Sequence, residues 1–145
     1  DRAFGRSHLQ FLTRSYAGMV TVSNQGRARA KVRIASPGTT MLMAASDIDI
    51  CGGLDNVANI VIEIAEENPE FVAALVSDAY LFPDAAMRRI GWLLDAFGEG
   101  APSDVEQYCA SLDSSTSFLS PGGQRLGRLD SKWNLIINQE VEPDI

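Results

Sequence analysis

The chain has 145 residues, a mass of 15.7 kDa, 46% hydrophobic and 21% charged residues, and a net charge of −7. This length suits one domain with one core, and no apolar run approaches the roughly 20 residues that a membrane span requires. We therefore expect residues 1–145 to form a single domain of a cytoplasmic protein that does not contact membranes. The sequence opens without an initiator Met, so we also expect it to come from a longer protein.

The charge is unevenly distributed along the chain. Residues 1–50 contain seven basic and three acidic residues, for a net charge of +4, whereas residues 51–145 contain five basic and sixteen acidic residues, for −11. An acidic protein is poorly suited to binding nucleic acid unaided, but its basic first third allows local contact with phosphates or with an acidic surface.

Extended structure is predicted for the first third, at residues 8–13 and 19–23 and again from Arg27 to Ile34, where basic and apolar residues alternate strictly. In a strand this alternation creates one basic and one apolar face, as in a half-buried antiparallel strand. The basic face could follow a phosphate backbone, protect an exposed sheet edge, or dock on the chain's own acidic helices. Its residues are Arg27, Arg29, Lys31 and Arg33.

Five helices are predicted between Ser36 and Leu112, because apolar residues recur there at helical spacing between Pro, Gly and capping signals. Ser36 and Pro37 suit the start of the first helix, and Ser103 and Glu106 suit a capping box for the fifth. The predicted inward residues of the first four helices are Met41, Leu42, Ala45, Ile48; Val57, Ile60, Val61, Ile64; Phe71, Val72, Leu75, Val76; and Met87, Ile90, Leu94, Phe97.

A final strand is predicted from Trp133 to Asn138, after the turn at residues 121–123. Strands at both ends of the chain with helices between them predict an α+β fold. In this fold, a small and mainly antiparallel sheet of N- and C-terminal strands packs against a cluster of about five helices.

The residues that catalysis or metal binding would need are few. His8 is the only histidine, Cys51 and Cys109 lie far apart, and the only lysines are Lys31 and Lys132. No spacing matches a nucleophile motif, a zinc site or a phosphate loop, so we expect no catalytic residues, no metal and no cofactor. A metal-dependent enzyme built on the acidic helices is the least favoured alternative.

Four blocks of sequence resemble the AbiEi family of type IV antitoxins. They are residues 34–42 (IASPGTTML), 52–60 (GGLDNVANI), 87–94 (MRRIGWLL) and 127–135 (GRLDSKWNL), the last followed by Asn138 and Glu142. The blocks keep the family's order and cover roughly residues 30–142. Each also has a structural explanation, since glycine pairs reverse chains and Trp133 suits a core.

The resemblance implies a role in a two-gene toxin–antitoxin and phage-defence system. Such proteins join an N-terminal winged-helix domain, which binds operator DNA and represses the operon, to a C-terminal domain needed to neutralise a nucleotidyltransferase-like toxin. Neutralisation with and without direct contact between toxin and antitoxin both stay open at this point. This chain would be the C-terminal domain, with the winged helix outside residues 1–145. Arg88, Arg89 and Arg128 are then the best further candidates for a partner surface. The alternative is a DNA-contacting accessory module of a transcriptional regulator outside any toxin–antitoxin system.

Overall fold

The computed structural model describes residues 2–4, 7–9, 13–14, 16, 18–25 and 32–145 of the chain. Helices occupy the middle of this part: α1 (Pro37–Ser46), α2 (Leu54–Glu67), α3 (Phe71–Asp78), α4 (Asp84–Phe97) and α5 (Ser103–Ala110). Short strands flank them: β1 (Arg2–Phe4), β2 (Ser7–Leu9), β3 (Val22–Gln25), β4 (Val32–Ala35), β5 (Ser117–Phe118), β6 (Arg128–Asp130) and β7 (Leu135–Ile137). The predicted α+β class with five helices is confirmed.

The described strands form three small sheets. β1 pairs with β2 and β3 with β4, both antiparallel. The C-terminal sheet has the order β5-β7-β6, in which β7 is antiparallel to β6 and parallel to β5. Pairing is mainly antiparallel, as predicted. One detail differs: each described N-terminal strand pairs with its neighbour in sequence, so the N- and C-terminal strands do not share one sheet.

The start of α1 and the turn after it follow from local chemistry. Ser36 is extended, and its Oγ accepts a hydrogen bond from the Thr39 amide at 3.3 Å, while Pro37 is the first helical residue. After α1, Gly52 and Gly53 have φ angles of 87° and 92°, which glycine adopts at little cost. This glycine pair lets the chain reverse into α2.

The core lies around α1, which packs against α2, α3 and α4. Met41 and Leu42 of α1 are completely buried, and on α2 Val57 and Val61 are completely buried, whereas Ile60 and Ile64 are only half-buried. The C-terminal sheet covers α4 through β5 and β7. The largest completely buried apolar side chains are Met41, Leu42, Leu75, Ile90, Leu93, Leu119 and Leu135.

The start of α5 differs from the prediction. Pro102 precedes the helix without a side-chain cap, and Ser103 is already its first helical residue. The expected capping box between Ser103 and Glu106 is therefore wrong by one position, because the Pro102 carbonyl already accepts the first helical hydrogen bond, from the Glu106 amide.

Candidate partner-binding site

Arg88 is buried within the protein, with only 1% of its surface exposed. Its Nη1 donates to the Ser115 carbonyl at 2.6 Å and to Ser117 Oγ at 3.0 Å, and its Nη2 donates to the Asp113 carbonyl at 2.9 Å. The side chain thus fixes the loop between α5 and β5 onto α4.

Arg89 is buried beside it, on a different set of carbonyl groups. Its Nε and Nη2 donate to the Phe118 carbonyl at 3.1 and 3.0 Å, and its Nη1 donates to the Ala45 carbonyl at 2.9 Å. Burial lowers the pKa of Arg89 to about 10, which still leaves the guanidinium charged at neutral pH. Arg89 therefore joins the last turn of α1 to β5.

These contacts correct the prediction that Arg88 and Arg89 belong to a partner surface. α4 is buried along much of its length, and both guanidinium groups are held by main-chain carbonyls of neighbouring segments. The physical reason is that arginine donors can satisfy several loop carbonyls at once, which places a charged side chain inside the fold.

The predicted basic face lies mostly in a part of the chain that the structure does not describe. Arg27, Arg29 and Lys31 are outside the described residues. The backbone of Arg33 lies in β4 opposite Asn24, but its side chain is not among those described. The phosphate-contact interpretation of these four residues stays a prediction.

Two of the family-like blocks pack directly against each other. A Cβ atom at Gly91 of α4 would lie 2.2 Å from Cζ3 of Trp133, so only glycine fits beneath the indole ring. The ring is 2% exposed, and its Nε1 donates to Asp95 Oδ2 at 3.0 Å. The block at residues 87–94 and the block at residues 127–135 therefore form one structural unit.

Arg128 is the one predicted site residue whose side chain the structure shows to be exposed. It lines a groove of about 600 Å³ between β6, the end of α4 and the segment after β7. Trp92 and Phe97 form one wall as an edge-to-face pair with centroids 5.9 Å apart, and Leu126 is 81% exposed. We call this the Arg128 groove. Its remaining lining residues are Ile137, Asn138, Gln139, Glu140 and Val141.

Exposed positive charge in residues 51–145 is concentrated at the C-terminal sheet. Of the five basic residues there, Arg88 and Arg89 are buried, and Lys132 binds two carboxylates at 2.7 and 3.0 Å. Arg125 and Arg128 are exposed and form no salt bridge with a carboxylate of the described residues. An acidic partner would meet its strongest attraction in this half of the chain here.

The sequence predicts Arg128 as a surface residue but does not predict the apolar residues around it. The helical pattern predicts Phe97 only as an inward residue and gives Trp92 no surface role, and Leu126 lies in a polar stretch with no periodicity. The available signal was local: a large apolar residue stands among Gly and Arg in the segment 124–128, where a loop would be expected to be polar.

Metal-ligating side chains are not gathered in the described part of the chain. No group of three or more His, Cys, Asp or Glu side chains in it could hold a metal ion. Cys51 and Cys109 are half-buried free thiols. Burial raises the pKa of Cys109 to about 11, so its thiol stays protonated at neutral pH and is a weak nucleophile.

None of the helices that the structure describes is long and apolar enough to cross a membrane. In comparisons with known proteins, no family model, no curated protein and no solved structure matches the chain. The resemblance to AbiEi antitoxins is therefore carried by the four sequence blocks.

Proposed function

We propose that the chain is the C-terminal, partner-binding domain of an AbiEi-like antitoxin. In this proposal it acts in the cytoplasm, neutralises a nucleotidyltransferase-like toxin and assists the autoregulation of the shared operon. The Arg128 groove is the observation that carries the proposal. An exposed cation beside aromatic and aliphatic side chains is a combination typical of protein interfaces, in which Arg, Trp and Phe are enriched.

The composition of the groove supports a link to the family resemblance. Trp92 belongs to the block at residues 87–94, and Arg128 belongs to the block at residues 127–135. The contact between Gly91 and Trp133 fixes these two blocks relative to each other. The two blocks that carry the resemblance thus pack together and also contribute residues to the groove.

In the proposed mode of action the domain works by binding, without catalysis. A carboxylate of the toxin pairs with Arg128, and an apolar side chain packs against Trp92 and Leu126. Removal of these apolar surfaces from water supplies most of the affinity, while the ion pair fixes the orientation and makes association sensitive to salt. Operator binding resides mainly in the winged-helix domain that the resemblance implies.

Co-expression with the neighbouring toxin gene tests this proposal. The full-length antitoxin is expected to restore growth of cells that produce the toxin. Arg128→Ala is expected to lower that rescue, because it removes the only arginine of the groove. Gln107→Glu is the matched control, since it changes the net charge by the same single unit at an exposed position on α5.

Failure of the unaltered full-length protein to restore growth would refute the antitoxin function. Full rescue by Arg128→Ala, at equal protein levels, would instead remove the groove from the proposal. Immunoblots of both variants separate this second result from a loss of expression.

A further inference from the structure

The outer face of the C-terminal sheet carries a row of large apolar side chains. Leu129 of β6 is paired with Ile136 of β7, which is in turn paired with Phe118 of β5. Paired residues of neighbouring strands point to the same side of a sheet, so these three side chains lie next to one another. We call them the outer row.

The outer row faces away from the core. Leu135 and Ile137, which alternate with Ile136 along β7, point to the opposite side, where Leu135 is completely buried and Ile137 packs on the core. Neither Phe118 nor Ile136 is among the half-buried apolar residues of the described part of the chain that pack on the core. Leu129 is 57% exposed. A solvent-facing side of a small sheet is ordinarily polar, so this row needs an explanation.

A cation lies at one end of the row. The guanidinium carbon of Arg125 is 4.8 Å from the centroid of the Phe118 ring, within the range of a cation–π contact. A cation–π contact does not use up the N–H donors of a guanidinium, which can still bind a carboxylate. Arg125 forms no salt bridge with a carboxylate of the described residues.

We propose that the outer row binds one acidic and apolar segment of a partner protein. An apolar side chain of that segment covers Leu129 and Ile136, and an adjacent carboxylate pairs with Arg125. Ile137 lines the Arg128 groove and points inward, so the outer row lies on the other side of the sheet from that residue. The outer row can therefore bind a partner other than the toxin.

The size and charge of the surface favour a single segment over a second copy of the chain. Three strands span only about 10 Å, which an extended segment of about three or four residues covers. A stable dimer buries roughly 800 Å² on each partner, far more than three side chains provide. A symmetric dimer through this face would also bring two Arg125 side chains together, in a protein with a net charge of −7 per copy.

The same features favour protein over nucleic acid. Leu129 and Ile136 are aliphatic, and Arg125 already lies over the one ring of the outer row, that of Phe118. Residues 51–145 also carry a net charge of −11 that repels a polyphosphate. A single arginine suits one carboxylate better than a series of phosphates.

Selection of short random peptides displayed on phage, with the immobilised chain as bait, tests this inference. Enriched peptides are expected to combine a large apolar residue with Asp or Glu. Their Kd, measured by fluorescence polarisation, is expected to rise about tenfold for Leu129→Ser and for Arg125→Gln. Tyr80→Ser is the control, because Tyr80 is a 69% exposed aromatic residue away from the C-terminal sheet.

Several results would overturn the inference. One is peptide binding that is equal for the unaltered chain and for Leu129→Ser, and another is an enriched set without acidic residues. Binding of single-stranded DNA that requires Arg125 would assign the surface to nucleic acid. Concentration-dependent dimerisation in sedimentation experiments, lost in Leu129→Ser, would assign it to a second copy. Thermal melts of each variant verify that the exposed substitutions leave the fold intact.

Discussion

At the scale of single residues, Arg89 is a buried side chain that joins two distant segments of the fold. Its fork of donors reaches two segments that are distant in sequence, Ala45 at the end of α1 and Phe118 in β5. Hydrogen bonds from a charged donor contribute about 1.5–3 kcal/mol each, and burial makes the loss of any one of them costly. The flat, five-donor guanidinium suits this task, whereas an ammonium group has its donors on one atom.

Arg89→Lys is therefore expected to lower the free energy of unfolding by about 2 kcal/mol, because lysine cannot reach both carbonyl groups at once. Urea denaturation followed by circular dichroism measures the change. Arg128→Lys makes the same substitution at an exposed position and is expected to change stability by less than about 0.5 kcal/mol. Equal effects of the two substitutions would contradict the structural role of Arg89.

The positions of Arg88 and Arg89 could not be predicted from the sequence, and the reason is physical. Charged residues are mostly exposed, so an arginine pair on a helix is expected to face solvent. The acceptors of Arg88 lie 25 to 29 residues further along the chain, and Ala45 lies 44 residues before Arg89. Only the folded arrangement brings these carbonyl groups to α4.

At the scale of elements, Asp95 connects α4 to the turn before β7 and to the segment before α5. It accepts hydrogen bonds from Lys132 Nζ at 2.7 Å, from the Ala101 amide at 2.8 Å and from Trp133 Nε1 at 3.0 Å. Burial raises the pKa of this carboxyl. The bonds from Lys132, Ala101 and Trp133 together lower the pKa by more than burial raises it, so it lies below its ordinary value of 3.8. The ionised form is the one that stabilises the fold.

The stabilisation by Asp95 is consequently expected to depend on pH. Because its pKa is lower in the folded than in the unfolded chain, the contribution is complete above pH 3.8 and is lost as the pH falls through the folded pKa. Asp95→Asn is expected to lower the free energy of unfolding by about 1 kcal/mol near pH 7. In urea titrations, the difference in the free energy of unfolding between the variant and the unaltered protein should become smaller as the pH falls below 3.8.

Glu63→Gln, at an exposed position on α2, is the control for this comparison and is expected to change stability by less than about 0.5 kcal/mol near pH 7. A difference between Asp95→Asn and the unaltered protein that is constant down to acidic pH would show that the charge of Asp95 is not what stabilises the fold.

The helices were predictable from sequence, but the short C-terminal strands largely were not. Helix starts and reversals depend on neighbouring residues, as the Ser36 cap and the Gly52–Gly53 turn show. β5 has only two residues and β6 three, too few for an alternating pattern to be recognised. Their pairing with β7 is long-range, and the Arg128 groove and the outer row both depend on that pairing.

At the scale of the whole molecule, the exposed arginines of the acidic part of the chain lie in one place. Residues 51–145 carry sixteen acidic residues, while Arg125 and Arg128, the exposed arginines there, lie at the C-terminal sheet. The negative charge elsewhere on this part of the surface repels an acidic partner and so disfavours its other orientations. In our proposals the sheet therefore binds partners on both sides, at the Arg128 groove beside α4 and at the outer row opposite.

The most direct test is the affinity of the chain for the toxin encoded by the neighbouring gene, measured by isothermal titration calorimetry. We expect a saturable complex whose Kd rises about tenfold for Arg128→Ala, as loss of an interfacial ion pair predicts, and is unchanged for Gln107→Glu. Absence of heat and of complex formation with the unaltered chain, or equal affinity of Arg128→Ala, would contradict the account.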